Sequence, residues 1–377
     1  MPQGRSKKTT KGVTVREHAE GIRVGVVGVG YWGSRHVRVL RSTTGVASVV
    51  GIDPRFTSLN DGSRQVDHGI PAYADLEDAL PHIDAVIIAT PPASHAPLGL
   101  KAIAAGKHVL IEKPLATTTR AARTLVEAAD NAGAVLMPGH TFEHNAAVHK
   151  LRDLIRGGEL GRLFYLDCAR LNLGLYQTDV NVILDLAPHD ISISNFVLGS
   201  RPTTVTAWAS RHVDPVHEDV AYLRLDYADV GVRANIQVSW LNPQKVRRIT
   251  AVGSKKMVVY DDMIDGERIR VYDKSAVPPD AGDGPVSQIA YHLGDTVSPF
   301  VAFAEPLVVQ DQHFIDCIAN GSHPSVDGGS GLAVVQVLEC AQISLQEQRP
   351  VALAEVTRRP ADARPELGVA SAVVSVG

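Results

Sequence analysis

The first third of the chain alternates between short apolar runs and amphipathic segments. The apolar runs, which predict strands, lie at residues 22–27, 47–52, 85–89, 108–111 and 135–137. Segments with helical periodicity follow them at residues 34–40, 97–105 and 120–132. Strands that are apolar on both faces are typical of parallel sheets covered by helices. We therefore predict an α/β domain with a parallel sheet over residues 21–140.

The pattern changes after about residue 140. Strand-like segments occupy residues 163–171, 203–209, 220–227, 232–240, 248–260 and 268–272. Helices are expected at residues 146–156, 186–198, 306–320 and 331–348. Strands that follow one another closely, with turn residues between them, favour antiparallel pairing. We predict an α+β domain over residues 141–353 with a large, mostly antiparallel open sheet. A flexible basic tail (1–20) and a C-terminal tail (354–377) are expected to flank the two domains.

Composition narrows the class of protein. A chain of 377 residues that is 45% hydrophobic and 21% charged suits a soluble globular protein of two domains. The formal net charge of −4 argues against a nucleic-acid partner, and no apolar run is long enough to span a membrane. Cys168, Cys317 and Cys340 are widely spaced, as expected for reduced thiols. The first twenty residues lack the apolar core of a signal peptide, so we expect a cytoplasmic protein.

A glycine-rich turn follows the first predicted strand. Gly28, Gly30 and Gly33 have the spacing of a Rossmann turn, in which backbone and a helix start receive a dinucleotide pyrophosphate. Asp53 ends the second strand twenty residues after Gly33, where a carboxylate would receive both adenosine ribose hydroxyls. A 2′-phosphate would be repelled by this carboxylate, although Arg55 would soften the repulsion. The sequence therefore predicts NAD as the cofactor, with NADP disfavoured.

Two further turns are predicted at the carboxyl ends of strands, where parallel sheets bind ligands. One contains Thr90, Pro91 and His95, and the other contains Glu112, Lys113 and Pro114. An ammonium group at the second turn could hydrogen-bond a reacting oxygen and stabilise negative charge on it. The alternative for Lys113 is a solvated surface lysine.

Asp185 and His189 are four residues apart, on one face if both are helical. Because proline is tolerated in the first turn of a helix, Pro188 suggests that Asp185 is the N-cap of a helix that starts there. A zinc site is not indicated, since no third ligand is evident, and we predict no metal. His140 and His144 suit caps or core hydrogen bonds.

These motifs together resemble the Gfo/Idh/MocA oxidoreductase family, over about residues 21–353. The resemblance rests on the glycine turn, on Glu112-Lys113-Pro114, and on Asp185-Leu-Ala-Pro-His189-Asp190. The family's glycine-rich turn before the acid is replaced by Asn181-Val-Ile-Leu, which alters the expected substrate loop. Three further segments are similar to the branch that acts on nucleotide-linked sugars: Gly30-Tyr31-Trp32-Gly33, Asn172-Leu-Gly174 and Asp179-Val-Asn181.

The resemblance implies roles for particular residues. The implied catalytic residues are Lys113, Asp185 and His189. The implied cofactor-binding residues are Gly28, Gly30, Tyr31, Trp32, Gly33, Asp53, Thr90, Pro91, His95, Glu112 and Lys113. The implied substrate-binding residues are Arg170, Asn172, Tyr176, Asn181 and His189, although Arg170, Asn172 and Tyr176 could equally be ordinary strand-face residues. An open sheet in this family often mediates oligomers, so a homodimer or homotetramer is expected.

The predicted function is hydride transfer between NAD and a ring hydroxyl of a sugar, with a nucleotide-linked sugar as the expected substrate and a ketosugar as the product. The alternatives are an inositol-type cyclic polyol dehydrogenase, an NAD-dependent glycosidase and a regulatory protein that binds NAD. His189 is the expected proton acceptor and Asp185 its orienting partner, with Lys113 as the alternative base. Turnover should then rise with pH through one ionisation near neutrality, where an ordinary histidine titrates.

Overall fold

The computed structural model describes residues 21–56, 65–66, 69–174, 176–177, 179–277 and 289–358. The predicted tail at 1–20 lies outside these residues, as does most of the tail predicted at 354–377. The described chain forms two sheets with helices packed against them. The fold class predicted from the sequence is confirmed.

The first sheet has seven strands in the order β3-β4-β2-β1-β5-β6-β7 and is parallel apart from the pairing of β3 with β4. Its elements are β1 (Ile22–Val27), α1 (Tyr31–Leu40), β2 (Val46–Ile52), β3 (Gln65–Val66), β4 (Ile70–Tyr73), α2 (Leu76–Ala79), β5 (Ala85–Ile88), α3 (His95–Ala104), β6 (His108–Glu112), α4 (Thr119–Ala132) and β7 (Leu136–Gly139). Central strand β1 is apolar and buried between β2 and β5. The turns after β1, β5 and β6 consequently meet at one edge of the sheet.

The second sheet has nine strands in the order β15-β14-β13-β12-β8-β11-β10-β9-β16. Only the β8–β11 pair is parallel among the described strands of this sheet. The remaining elements are α5 (Ala146–Arg156), β8 (Leu163–Leu173), α6 (Val182–Leu198), β9 (Thr204–Ser210), β10 (Val220–Tyr227), β11 (Val232–Ser239), β12 (Leu241–Gly253), β13 (Met257–Asp261), β14 (Ile269–Val277), β15 (Ala290–Val297), α7 (Pro306–Asn320), α8 (Gly328–Glu347), β16 (Val351–Ala352) and α9 (Leu353–Arg358).

Two helices near the end of the described chain return to the first sheet. Phe314 and Ile315 of α7 are buried in one core with Val24 and Leu110. Val335 of α8 belongs to the core on the other face, with Ile111. Helices from the predicted second domain therefore complete the hydrophobic core of the first.

Several elements differ from the sequence prediction. Strands β4 and β15 were not predicted, and the segment 248–260 is not one strand but the hairpin β12–β13. Helix α9 runs through residues 354–358, where the sequence predicts a tail. The most consequential difference is that α6 begins at Val182, four residues before the predicted start.

Candidate active site

The turn between β1 and α1 is shaped to admit an anion. Gly28 has φ +82°, and a Cβ on Gly33 would lie 2.0 Å from the carbonyl oxygen of Gly28. Gly30 is the N-cap of α1 and provides no side-chain hydrogen bond to the first-turn N–H groups. A Cβ at Gly30 would meet nothing within 4 Å, so open space lies beside this backbone. These features fit a dinucleotide pyrophosphate at the positive end of α1.

Aromatic side chains flank the same helix start. The exposed ring of Tyr31 packs edge-on against Trp32, and the guanidinium of Arg35 lies 3.6 Å from the Tyr31 ring centroid. Thr90 and Pro91 occupy the neighbouring turn after β5, where the Thr90 hydroxyl accepts a hydrogen bond from Ser94. Tyr31 and Trp32 thus begin α1, Thr90 and Pro91 lie in the turn after β5, and all four predicted residues are at the carboxyl edge of the sheet.

Asp53 follows β2 directly, as predicted, but its carboxylate is already engaged. Oδ1 accepts the Arg55 backbone N–H (3.1 Å) and Nε–H (2.8 Å). Oδ2 accepts the Arg55 Nη2–H (2.8 Å) and the Val29 backbone N–H (3.1 Å). The Arg55 hydrogen bond is the main reason that the pKa of Asp53 is lowered, so the carboxylate is ionised at neutral pH.

Lys113 follows β6 and points across to α6. Its Nζ donates to the Asp185 carboxylate at 2.9 Å and to the Asp185 carbonyl at 2.6 Å. The Lys113 side chain is only 12% exposed, which excludes a solvated surface lysine. The Asp185 carboxylate also accepts Trp240 Nε1–H at 3.1 Å. Asp185 is therefore held between Lys113 and Trp240.

The start of α6 corrects the interpretation of Asp185 as a helix N-cap. Asn181 is the N-cap, and its Oδ1 accepts the Leu184 N–H at 3.1 Å. Asp185 lies in the first turn, and Pro188 lies inside the helix. Because proline lacks an N–H, the usual hydrogen bond to the carbonyl four residues earlier is absent there. Neighbouring elements stabilise the turn nevertheless, through the contacts of Lys113 and Trp240 with Asp185.

His189 lies one turn after Asp185 and is held in its neutral form. Burial lowers the pKa of its imidazole well below the ordinary value, and nearby Arg170 and Lys113 lower it further. Its Nδ1 is buried with no hydrogen-bond partner among the described residues. The ring packs edge-on against Phe142, with centroids 5.1 Å apart. A buried nitrogen without a partner is available to a ligand.

Arg170 is buried close enough to His189 for its charge to act on the imidazole. Its Nε and Nη2 donate to the Asp190 carboxylate at 2.9 and 3.0 Å, and its guanidinium lies 4.5 Å from the Phe142 ring centroid. The two side chains form a buried ion pair. Arg170 therefore acts on the site mainly through its positive charge near His189.

Three other predicted residues use their polar atoms within the protein. His95 has Nδ1 and Nε2 each 2.8 Å from a backbone carbonyl, of Pro114 and Thr90 respectively, so it joins two turns. Asn181 donates from Nδ2 to Glu218 in addition to capping α6. The Tyr176 hydroxyl lies 3.4 Å from Asp219. In contrast, Asn172 Oδ1 is buried with no partner among the described residues, as a ligand contact would be.

A charged triad beneath the site was not predicted. The imidazole of His36 contacts Asp311 through Nδ1 (2.9 Å) and Glu112 through Nε2 (3.1 Å), and His36 and Asp311 are completely buried. Burial alone would lower the pKa of His36, but the two carboxylates raise it to about 10. Glu112 also accepts the Lys113 backbone N–H at 3.2 Å. No sequence signal connects these residues, because Asp311 comes from α7.

His140 does not make the side-chain hydrogen bond that the sequence suggested. It lies 3.3 Å from the Glu143 carboxylate, but its buried ring nitrogens have no hydrogen-bond partner among the described residues. Burial lowers the pKa of His144 to about 3, and its buried Nε2 also has no partner among the described residues. Cys168, Cys317 and Cys340 are buried and form no disulfide bond among the described residues. Among the described residues, no group of three or more His, Cys, Asp or Glu side chains could hold a metal ion. No helix in the described part of the chain is long and apolar enough to cross a membrane.

Comparison with known proteins places the fold and site in a family. A profile described as the oxidoreductase family with an NAD-binding Rossmann fold matches residues 22–140, and the GFO/IDH/MocA C-terminal domain matches residues 148–259. The chain therefore belongs to the GFO/IDH/MocA oxidoreductase family. The sequence predictions of the family, of a dehydrogenase-type enzyme and of NAD as cofactor are confirmed.

Its relatives differ in the compounds that their names specify. Inositol 2-dehydrogenase 2 of Saccharopolyspora erythraea is 28% identical, over 58% of this chain and 66% of that protein. UDP-N-acetylglucosamine 3-dehydrogenase of Acidithiobacillus ferrooxidans is 26% identical, over 83% of this chain and 94% of that protein. A solved enzyme of gentamicin A biosynthesis, in complex with NAD, is 26% identical with a TM-score of 0.71, covering 92% of this chain and 99% of its own.

Proposed function

We propose that this protein oxidises a ring hydroxyl of a sugar or cyclic polyol to a ketone with NAD, or carries out the reverse reduction. The observation that carries the proposal is the partly buried Lys113–Asp185 contact near a neutral His189, whose Nδ1 has no hydrogen-bond partner among the described residues. These groups lie at the sheet edge that also bears the glycine turn. A positive donor and a proton acceptor are the two groups that alcohol oxidation needs from a protein.

Lys113 stabilises the reacting oxygen. An ammonium has three N–H donors, and two of them are engaged by Asp185. The third can donate to the substrate oxygen and favour the negative charge that develops there as the hydroxyl proton leaves. Asp185 holds the ammonium in this position, since its carboxylate is itself fixed by Trp240.

His189 accepts the hydroxyl proton. The imidazole is neutral at physiological pH because of its lowered pKa, so a ring nitrogen carries a lone pair for the proton. Bound NAD supplies the hydride acceptor. The Phe142 ring and the buried surroundings of His189 limit access of water to the acceptor nitrogen.

We infer that the substrate is a nucleotide-linked sugar. The UDP-N-acetylglucosamine 3-dehydrogenase matches 83% of this chain at 26% identity, and the myo-inositol 2-dehydrogenase of Thermotoga maritima matches 89% at 24% identity, so coverage does not separate the two substrate classes. The segments around Asn172 and Asn181 support the branch that acts on nucleotide-linked sugars. A nucleotide offers remote contacts whose binding energy can orient the reacting ring.

The substrate is tested by initial rates of NADH formation with UDP-N-acetylglucosamine, free N-acetylglucosamine and myo-inositol. The nucleotide conjugate should have a kcat/KM about 100-fold or more above either free compound, since remote contacts contribute to transition-state binding. Equal rates with free inositol would favour the polyol. Absence of turnover together with tight NAD binding would favour the regulatory role.

We propose that the outer face of the second sheet forms a homodimer or homotetramer. Trp208 and Tyr222 are paired across β9 and β10, exposed at 54% and 45%, with ring centroids 5.7 Å apart. Exposed aromatic groups on an open sheet are characteristic of interfaces. Light scattering on the purified protein should give a mass of two or four chains, and Trp208→Glu should lower it. A monomeric wild type would contradict the interface.

A further inference from the structure

The Asp53 carboxylate is expected to bind the adenosine ribose hydroxyls, but its hydrogen-bond acceptor positions are already occupied by protein donors. An ionised carboxylate offers about four lone-pair positions. Asp53 receives four donors: two N–H groups of the Arg55 side chain, the Arg55 backbone N–H and the Val29 backbone N–H. Arg55 Nη2 also donates to the Val29 carbonyl at 3.0 Å. The two ribose hydroxyls of NAD can be received only if the Arg55 side chain gives up both of its hydrogen bonds to Asp53.

The two members of this pair differ in their freedom to move. The Asp53 side chain is 9% exposed, while the Arg55 side chain is 66% exposed. Because the guanidinium is largely exposed, water can replace the hydrogen bonds that it gives up when it leaves the carboxylate. It remains tethered beside the ribose position, because its backbone belongs to the short turn of residues 54–56 that follows β2.

A 2′-phosphate changes the electrostatics at this position. It brings about two negative charges at neutral pH, which Asp53 alone would repel. A guanidinium presents a planar fork of donors that matches phosphate oxygens, and its charge is permanent. Moving from Asp53 to the phosphate would give Arg55 a more highly charged acceptor, while the Val29 and Arg55 backbone N–H groups continue to bind Asp53.

We propose that Arg55 is a specificity-determining residue that lets the site accept NADP as well as NAD. With NAD, Arg55 withdraws and Asp53 receives the ribose hydroxyls. With NADP, the Arg55 guanidinium binds the 2′-phosphate and shields it from Asp53. This inference rests on the proposed use of a nicotinamide dinucleotide and extends it to the choice between the two cofactors.

The inference is tested by calorimetric binding without a sugar substrate. NAD and NADP are titrated into the full chain, and 5′-AMP and adenosine 2′,5′-bisphosphate serve as probes of the adenosine half alone. The variant is Arg55→Ala. Arg38→Ala is the matched control, since Arg38 is an exposed arginine of α1 that pairs with Glu305. Thermal melts verify that each variant is folded.

Wild type should bind NADP within about tenfold of NAD. Arg55→Ala should weaken NADP and the bisphosphate by about tenfold or more, the scale of one charge-assisted hydrogen bond. The same variant should tighten NAD modestly, because the freed carboxylate receives the hydroxyls. Arg38→Ala should change neither affinity. NADP affinity should also fall more steeply with salt than NAD affinity.

Two results would overturn the inference. One is NAD binding with NADP more than 100-fold weaker in wild type. The other is an Arg55→Ala variant that loses equal affinity for both cofactors, which would make Arg55 a general part of the loop. Failure of the wild type to bind either dinucleotide would instead overturn the proposed function itself, together with this inference.

Discussion

The ammonium group of Lys113 forms a contact between the first sheet, at the end of β6, and helix α6. It reaches from the end of β6 to the first turn of α6, where Asp185 accepts two hydrogen bonds from it. The contact fixes the ammonium beside His189 at the edge where the glycine turn lies. Under the proposed mechanism, this position serves the chemical step rather than the binding of the dinucleotide.

Replacing this lysine should separate chemistry from cofactor binding. Lys113→Met keeps much of the stem but removes the charge, and turnover should fall about 100-fold or more, the scale of a preorganised charge stabiliser. The Kd for NAD, measured by calorimetry, should remain close to that of wild type. Lys107→Met is the control, because Lys107 lies at the opposite end of β6 and donates to the Ile83 carbonyl. Unchanged turnover in Lys113→Met would remove it from the site.

The environment of His189 alters the pH dependence expected from the sequence. An ordinary histidine would give a rise in oxidative kcat/KM near pH 6.5. Burial and the charges of Arg170 and Lys113 lower the pKa of His189, so the imidazole is already neutral at that pH. The limb due to His189 should therefore lie well below neutrality. A kcat/KM profile should show no ionisation of this group between about pH 6 and 8.

The His189→Asn variant identifies the group responsible for any pH-dependent limb of the profile that is observed. His189→Asn should lose most oxidation, since an amide can hydrogen-bond but cannot accept the proton. If His189→Asn kept near-normal turnover with the same pH profile, Lys113 would be the better candidate for the base. A wild-type limb near pH 6.5 that disappears in His189→Asn would contradict the lowered pKa.

At the scale of elements, the N-cap of α6 fixes where this helix begins. Asn181 accepts the Leu184 N–H and donates to Glu218, so both ends of its amide are used. Removing the cap by Asn181→Ala should lower the free energy of unfolding by about 1 kcal/mol. Urea denaturation measures the change, and Asn320→Ala, at the exposed end of α7, is the control. Unchanged stability with a higher substrate KM would instead restore Asn181 as a substrate ligand.

The elements that the sequence predicts well have a local cause. The apolar run of β1, the spacing of Gly28, Gly30 and Gly33, and the position of Asp53 all follow from rules that act within one βαβ unit. The start of α6 was predicted wrongly because Pro188 was treated as a first-turn residue. Pro188 lies inside a helix whose first turn contains Asp185, which accepts hydrogen bonds from Lys113 and Trp240 of distant elements, and local sequence rules do not include such contacts.

Part of the candidate site could be predicted from the sequence, whereas the contacts between its side chains could not. Lys113, Asp185 and His189 were predicted from the motif resemblance, from the strand end at Lys113 and from the four-residue spacing of Asp185 and His189. The engagement of Asp53 by Arg55 depends on side-chain geometry, and the partners of Asp185 depend on the packing of two sheets. Asp311 lies 275 residues from His36, so their contact could not be derived from spacing.

At the scale of the whole molecule, the buried triad joins three parts of the chain. His36 belongs to α1, Glu112 ends β6, and Asp311 belongs to α7. The pKa of His36 is raised to about 10 by the two carboxylates, against 6.5 for an ordinary histidine. The imidazolium therefore donates from both ring nitrogens at neutral pH. It compensates two carboxylates in a region with almost no solvent access.

This triad should make stability depend on pH in a defined direction. Because the pKa of His36 is higher in the folded state, its contribution is fully present below about pH 6.5 and is lost as the pH rises to about 10. His36→Gln should lower the free energy of unfolding at pH 7 by about 3 to 5 kcal/mol, since it leaves carboxylates buried without a counter-charge. It should also flatten the decline in stability between these pH values. Urea unfolding across that range measures both effects, with exposed His82→Gln as the control. A decline as steep in His36→Gln as in wild type would show that another group titrates, and the α1–α7 contact would then depend on apolar packing through Phe314 and Ile315.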